Sequence, residues 1–178
     1  MARPRFSAIV LAAGDGSRMR SSRPKALHVL CGKAMVVYVL DALVGLVDRA
    51  VVGVGVGAER VAKKLQEDGP DLAIEFVEQR FARGTGDAAA VGLTAFEDDE
   101  AFDDDHVIVL PGNTPLLRTE MLAALIDEHV ASGAAATVLT ASLAEPSGYA
   151  RVVRGKGDRV MRLVEQEDAA PDELAIGE

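Results

Sequence analysis

Short apolar runs and longer amphipathic stretches alternate along most of this chain. The short runs have the length and composition of buried strands, and the longer stretches carry apolar residues at helical spacing. The predicted strands are 6–11, 49–56, 72–77, 105–110 and 134–143, and the predicted helices are 34–46, 59–66, 84–96 and 118–131. Strands that alternate with helices favour parallel pairing through βαβ units. The pattern therefore predicts an α/β fold with a mostly parallel central sheet.

The pattern changes after Pro146. Two shorter strand-like segments, 149–154 and 159–164, flank Gly155-Lys156-Gly157-Asp158, which is typical of a turn between antiparallel strands. This part of the chain therefore predicts a β-hairpin. No internal repeat or low-complexity segment is found, and residues 1–178 are interpreted as a single domain.

Composition narrows the possible partners. The chain has 19 basic and 28 acidic residues, a net charge of −9, which argues against nucleic acid as a general partner. Much of the acid lies in one block, 97–105, which is interpreted as a solvated loop. The lone Cys31 excludes an internal disulfide and fits a reducing compartment. No apolar run approaches the roughly 18 residues of a membrane span, so a cytoplasmic protein with no membrane partner is expected.

The first predicted strand runs directly into a loop of small residues. The loop contains Ala12, Ala13, Gly14 and Gly16, and basic residues follow at Arg18, Arg20, Arg23 and Lys25. A buried strand that feeds a glycine-rich loop commonly presents backbone N–H groups to a phosphate. The glycines permit close approach, and Arg18 and Lys25 supply positive charge. An ordinary strand-to-loop turn with surface arginines is the alternative interpretation.

Two phosphate-binding motifs nearly match the chain, and both fail. The first loop lacks the Gly-Lys-Ser/Thr run of a Walker A motif, and Met19 stands where the dinucleotide fingerprint needs its third glycine. A second partial fingerprint at residues 51–57 is also not completed by a glycine. That stretch is interpreted as a buried strand and its exit.

Two further strand exits combine glycines with polar side chains. Glu78-Gln79 leads to Gly84-Thr85-Gly86, and the next strand is followed by residues 111–116, which include Asn113. Ligands of open α/β sheets bind at the carboxyl ends of the strands, so the three exits predict one crevice. Gln79 offers a hydrogen-bond donor and an acceptor, which suits the polar edge of a ligand, and Thr85 is expected to cap the following helix. A surface glutamine and a plain helix start are the alternative interpretations.

The first loop resembles the opening of the sugar-phosphate nucleotidyltransferases. The resemblance rests on Leu11-Ala12-Ala13-Gly14-x-Gly16-x-Arg18-Met19, with Pro24-Lys25 a few residues later. Gln79 with Gly84-Thr85, and Val164-Glu165, narrow it toward the uridyltransferases that make UDP-N-acetylglucosamine. The resemblance implies a Rossmann-like, three-layer nucleotidyltransferase fold of the GT-A-like type.

The same resemblance implies a reaction. UMP would pass from UTP to the sugar 1-phosphate N-acetylglucosamine 1-phosphate, with release of pyrophosphate and with Mg²⁺ as cofactor. Arg18 and Lys25 would be the catalytic residues. The implied substrate-binding residues are Leu11, Ala12, Ala13, Gly14, Gly16, Gln79, Gly84, Thr85, Gly148 and Glu165.

The chain departs from the family's pattern in several places. Asn113 stands where the family has an aspartate that holds Mg²⁺, so weaker metal binding and slower chemistry are expected. Asp15 or Asp87 could compensate for the missing carboxylate. Ala150 replaces a family glycine near the sugar. The family's later segments, including a β-helix domain through which it forms trimers, would follow Glu178, so a fragment or shortened homologue is expected, trimeric only if that domain exists.

Two other functions stay open. A transferase for another nucleotide or acceptor, of the molybdenum-cofactor guanylyl- or cytidylyltransferase type, would share the opening loop. Gln79, Gly84-Thr85 and Glu165 argue against that function. A catalytically impaired nucleotide-binding domain is favoured by Asn113 and Ala150.

Overall fold

The computed structural model describes residues 4–14, 16, 19–81, 83–96 and 106–178. The chain divides into two compact units, Met1–Gly133 and Ala134–Glu178. The acidic block predicted to be a solvated loop, 97–105, lies outside the described residues.

Strands and helices alternate through the described part of the first unit. Its strands are β1 (Phe6–Leu11), β2 (Val29–Leu30), β3 (Lys33–Ala34), β4 (Arg49–Val54), β5 (Ala73–Glu78) and β6 (His106–Pro111). Its α-helices are α1 (Met35–Leu43), α2 (Ala58–Asp68), α3 (Thr85–Leu93) and α4 (Thr119–Ser132), with short 3₁₀ helices at Lys25–Leu27 and Thr94–Phe96. None of the described helices has both the length and the apolar character that crossing a membrane requires.

A four-stranded parallel sheet forms the centre of this unit. The strand order is β5-β4-β1-β6, and every neighbouring pair is parallel. Leu11 lies opposite Gly53 of β4 on one side and opposite Pro111 of β6 on the other. The carboxyl ends of β1, β4 and β6 therefore lie level along one edge of the sheet. The predicted α/β fold with a parallel central sheet is confirmed.

Helices cover both faces of the central strand because β1 is apolar at successive positions, which point to opposite faces. Ala8 and Val10 belong to a core that also contains buried residues of α1, α2 and α4, among them Val36, Leu40, Val61, Leu65, Leu122 and Ile126. Ile9 faces the other way and packs against Val51 and Phe96. Helix–sheet–helix layering follows from this alternation.

The second unit is built on an antiparallel hairpin. Strands β7 (Arg151–Arg154) and β8 (Val160–Val164) pair from Arg151↔Val164, with a 3₁₀ turn at Lys156–Asp158 between them. A short helix, α5 (Pro171–Leu174), follows. The hairpin predicted after Pro146 is confirmed.

The predicted fifth strand is wrong. Residues 134–143 form no strand, and the four-stranded sheet of the first unit does not include them. Val138, Leu139 and Leu143 remain 48%, 46% and 38% exposed. Apolar, β-branched composition gives a segment the propensity for extended backbone, but a strand also needs a neighbouring ladder of hydrogen bonds.

An ion pair within the second unit gives its stability a dependence on pH. Arg154 Nε donates a hydrogen bond to Glu178 Oε2 at 2.7 Å, and Thr140 Oγ1 donates one to Glu178 Oε1 at 2.5 Å. These bonds, the one from Arg154 first, lower the pKa of Glu178 from 4.5 to about 2. Because the ionised form is favoured in the folded state, the stabilisation is complete above pH 4.5 and is lost as the pH falls toward 2.

Replacing this carboxylate is therefore expected to flatten the acid limb of the stability profile. Thermal unfolding of Glu178→Gln should lose less stability than wild type between pH 4.5 and 2. Glu145→Gln, which changes an exposed glutamate, is the matched control and should retain the wild-type slope. Equal slopes in wild type and Glu178→Gln would contradict the assignment.

Candidate active site

The loops after β1, β5 and β6 share one cavity of about 260 Å³ at the carboxyl edge of the sheet. The residues that line it are Leu11, Ala12, Ala13, Gly14, Lys25, Ala26, Gln79, Gly84, Thr85, Ala88, Pro111 and Asn113. The three strand exits that the sequence predicts to form one crevice do meet. Pro111 belongs to the predicted exit 111–116, whereas Ala26 and Ala88 carry no sequence signal, because nothing in an alanine indicates a site.

Gly16 lies beneath Lys25 and does not line the cavity. Its φ of +72° is left-handed, and a Cβ built on it would lie 3.3 Å from Lys25 Cβ. Lys25 begins the short 3₁₀ helix whose next residues, Ala26 and Leu27, are buried. The backbone of Lys25 thus packs against Gly16 of the first loop, and the two residues that follow Lys25 anchor it in the core. Arg18 and Asp15 lie outside the described residues.

Two glycines that follow β4 allow the loop after β1 to pack closely against the sheet. A Cβ on Gly55 would lie 2.8 Å from the carbonyl oxygen of Ala13. The same atom on Gly57 would lie 2.8 Å from Pro24 Cγ. Real Cβ atoms do not approach backbone so closely, so a side chain at Gly55 would displace the loop. The glycines of the incomplete fingerprint at 51–57 therefore serve packing beneath the first loop, and that stretch is a buried strand and its exit, as predicted.

Backbone hydrogen bonds continue past the carboxyl ends of the central strands β4, β1 and β6. Ala12 N donates to Gly53 O at 2.8 Å, and Gly112 N donates to Leu11 O at 2.8 Å. On the far side, Gln79 N donates to Val54 O at 2.8 Å. The loops that line the cavity therefore start from backbone positions that are fixed relative to one another.

Gln79 is almost fully buried, with 8% of its surface exposed. Its side-chain Nε2 donates to Asp87 Oδ2 at 2.7 Å and, at the long distance of 3.5 Å, to Gly84 O. Asp87 lies in the first turn of α3. The sequence suggests Asp87 only as a substitute metal ligand. Its pairing with Gln79 carries no sequence signal, because the two residues belong to different elements.

The prediction that Thr85 caps α3 is wrong. Gly84 occupies the N-cap position with φ of +101°, and no side-chain capping bond is formed. Thr85 is instead the first helical residue. A cap needs its side-chain oxygen one position earlier, so that the oxygen can face the free N–H groups of the first turn.

Asn113 is the polar side chain that the loop after β6 contributes to the cavity, and it is half-buried. Thr114 Oγ1 donates to Pro111 O at 2.8 Å and closes the turn around it. Among the described residues, no group of three or more His, Cys, Asp or Glu side chains could hold a metal ion. Mg²⁺ commonly keeps several waters and binds substrate phosphates. One amide oxygen therefore fits a metal that arrives with a triphosphate, and not a metal held by protein ligands alone.

Gly148 and Glu165 belong to the second unit. Gly148 is exposed with φ of +83°, and its N–H donates to Gln166 Oε1. Glu165 is exposed directly after β8, and its carbonyl accepts a hydrogen bond from Asp168 N at 3.0 Å. The Gly148–Gln166 bond therefore holds these two predicted sugar-binding residues in adjoining loops.

Comparison with known proteins places the chain among nucleotidyltransferases. Residues 8–169 match the family model described as the MobA-like NTP transferase domain. The bifunctional protein GlmU of Shouchella clausii is 45% identical over 172 residues, and that of Mycobacterium tuberculosis is 43% identical over 173 residues. Each match covers 96% of this chain but only 36% and 34% of the relative. The chain thus spans about a third of the length of these curated relatives.

Solved structures of low sequence identity share the fold. HddC from Yersinia pseudotuberculosis, complexed with GMP-PN, aligns with a TM-score of 0.67 at 18% identity, over 90% of this chain and 69% of that one. The 4-diphosphocytidyl-2C-methyl-D-erythritol synthase of Anaerococcus prevotii aligns with a TM-score of 0.59 at 19% identity, over 93% and 67%. These likenesses support the nucleotidyltransferase architecture.

Two glycines on the same strand and its exit test the close approach beneath the first loop. Gly55→Ala is expected to lower the free energy of unfolding by about 1–3 kcal/mol, because the new methyl group collides with the Ala13 carbonyl. Gly53→Ala is the matched control, since its Cβ would meet only Val10 O at 3.8 Å, and should stay within about 1 kcal/mol of wild type. Denaturant unfolding measures both, and equal effects would contradict the packing argument.

Proposed function

The chain belongs to the MobA-like NTP transferase domain family, and on that premise we propose that it transfers UMP from UTP to N-acetylglucosamine 1-phosphate, releasing pyrophosphate. The observation that carries the proposal is the single cavity that joins the first loop, Lys25, Gln79 and Asn113. The similarity of this chain to the bifunctional GlmU proteins supports the choice of reaction. So does its resemblance to the uridyltransferases at Gln79, Gly84-Thr85 and Glu165.

The phosphate end of the cavity would perform the chemistry by position and charge. Backbone N–H groups of the first loop would bind phosphate oxygens, and the ammonium of Lys25 would neutralise charge on the triphosphate, assisted by Arg18. A phosphate oxygen of the sugar 1-phosphate attacks the α-phosphorus in line. The bond from that phosphorus to the bridging oxygen breaks, and pyrophosphate leaves with its electron pair. No covalent enzyme intermediate is required.

The remaining residues would bind the base, the sugar and the metal ion. Gln79 and Gly84 would bind the base, and Gly148 and Glu165 would bind the sugar. Mg²⁺ bound to the triphosphate would neutralise phosphate charge, with Asn113 as its protein ligand. The neutral amide is a poor ligand for a hard cation, which also favours a second candidate function, an impaired nucleotide-binding domain.

Base preference tests the substrate assignment. Calorimetric titration with UTP, CTP, GTP and dTTP, each with Mg²⁺, should give the strongest binding for UTP. Preference for GTP or CTP would replace the proposed reaction with that of a transferase for another nucleotide. Binding of none of the four would overturn the proposed function.

Removing the cavity lysine is expected to abolish most of the activity. Lys25→Ala should lower kcat by about 10²-fold or more, because the charge on the leaving pyrophosphate is no longer neutralised. Pyrophosphate release from UTP and N-acetylglucosamine 1-phosphate provides the assay. The control is Lys63→Ala, which removes a lysine of α2 that is 77% exposed. Unchanged turnover in Lys25→Ala would refute the catalytic role.

A carboxylate introduced at position 113 tests whether this residue binds the metal ion. Asn113→Asp is expected to raise kcat about tenfold or more and to lower the Mg²⁺ concentration needed for half-maximal rate, because a charged oxygen binds the cation more strongly. Gln66→Glu adds the same charge at an exposed position of α2 and should change neither quantity. If Asn113→Asp has no effect on either quantity, residue 113 is not the metal ligand.

A further inference from the structure

The hydrogen bond between Gln79, which lines the cavity, and Asp87 has a defined direction. A glutamine amide can present either its NH₂ group or its oxygen to a neighbour, but a carboxylate oxygen only accepts hydrogen bonds. The contact of 2.7 Å to Asp87 Oδ2 therefore comes from Nε2. The second, weaker contact of Nε2 is also with an acceptor, the carbonyl of Gly84 at 3.5 Å. Both neighbours select the same orientation of the amide.

This orientation leaves Gln79 Oε1 as the available acceptor. No described residue donates a hydrogen bond to Oε1. Only 8% of Gln79 is exposed. Its Oε1 atom is nevertheless accessible to solvent, because it is not one of the fully buried side-chain atoms that lack a hydrogen-bond partner. Gln79 itself lines the cavity together with Gly84 and Thr85. A ligand in the cavity therefore meets a fixed acceptor at this side chain.

We propose that Asp87 is a positioning residue for base selection: it holds Gln79 Oε1 as an acceptor for the ring N–H of uracil and thereby rejects cytosine. Uracil carries a hydrogen on N3, which can be donated to Oε1. Cytosine carries a lone pair on N3, which would face the lone pairs of Oε1 without a hydrogen bond. The inference rests on the proposed function, because it concerns the base that the same cavity binds.

A purely structural role for Asp87 makes a different prediction. An acidic side chain in the first turn of a helix stabilises the helix through its dipole, and Asp87 occupies that turn of α3. Loss of this effect would lower stability without changing the ratio of affinities for two pyrimidine nucleotides. Glu120 is the matched case, since it lies exposed in the first turn of α4.

The experiment compares dissociation constants for UTP, CTP and N3-methyl-UTP, measured by calorimetry on the full chain. Wild type should bind UTP about tenfold or more tightly than CTP, and should bind N3-methyl-UTP, which lacks the ring N–H, with a similar loss. Asp87→Asn should lower the UTP/CTP ratio about tenfold, because an asparagine amide can donate to Oε1 or accept from Nε2 and no longer fixes Gln79. Glu120→Gln should keep the wild-type ratio.

The outcomes separate the two proposals. If Gln79→Ala loses the selectivity and Asp87→Asn keeps it, the inference about Asp87 is overturned and the proposed function stands. If wild type does not favour UTP, the proposed function fails and this inference fails with it. Should Asp87→Asn not fold, Asp87→Ala, in which alanine favours the helix, is used in its place. Equal binding of UTP and N3-methyl-UTP by wild type would also overturn the inference, independently of any variant.

Discussion

Strand β1 is hydrogen-bonded along both edges, to β4 and to β6, and this double pairing sets the geometry of the cavity. Buried backbone groups must find partners, so the register of three parallel strands is fixed together. The ladder extends past the strand ends through Ala12 N to Gly53 O and Gly112 N to Leu11 O. As a result, the loops that carry the polar side chains begin from one rigid edge of the sheet.

Close packing then brings the first loop onto that edge. Gly55 leaves room for the backbone of Ala13, and Gly57 leaves room for the ring of Pro24, which precedes Lys25. Lys25 in turn packs over Gly16 and leads into the buried Ala26 and Leu27. The lysine side chain is thus attached to a backbone that packs closely against the loop and the core.

The polar side chains of the cavity differ in chemistry. Gln79 lines the cavity and donates a hydrogen bond to Asp87, so that a carboxylate orients a nearly buried amide. Lys25 contributes positive charge, and the neutral Asn113 neither repels an anion nor binds a cation strongly. The described residues therefore combine an oriented hydrogen-bonding group and a cationic side chain in one cavity. They provide no set of side chains that could hold a metal by themselves.

The sequence by itself determined the alternation of strands and helices, the parallel sheet and the strand exits that meet in the cavity, because buried strands and amphipathic helices have distinct local periodicities. It failed at residues 134–143, whose strand-like composition does not lead to a strand, and at Thr85, because Gly84 with a positive φ takes the N-cap position. Only the tertiary structure decided that Gly55 supports Ala13 and that Asp87 orients Gln79. These contacts join separate elements, and such contacts leave no local pattern in the sequence.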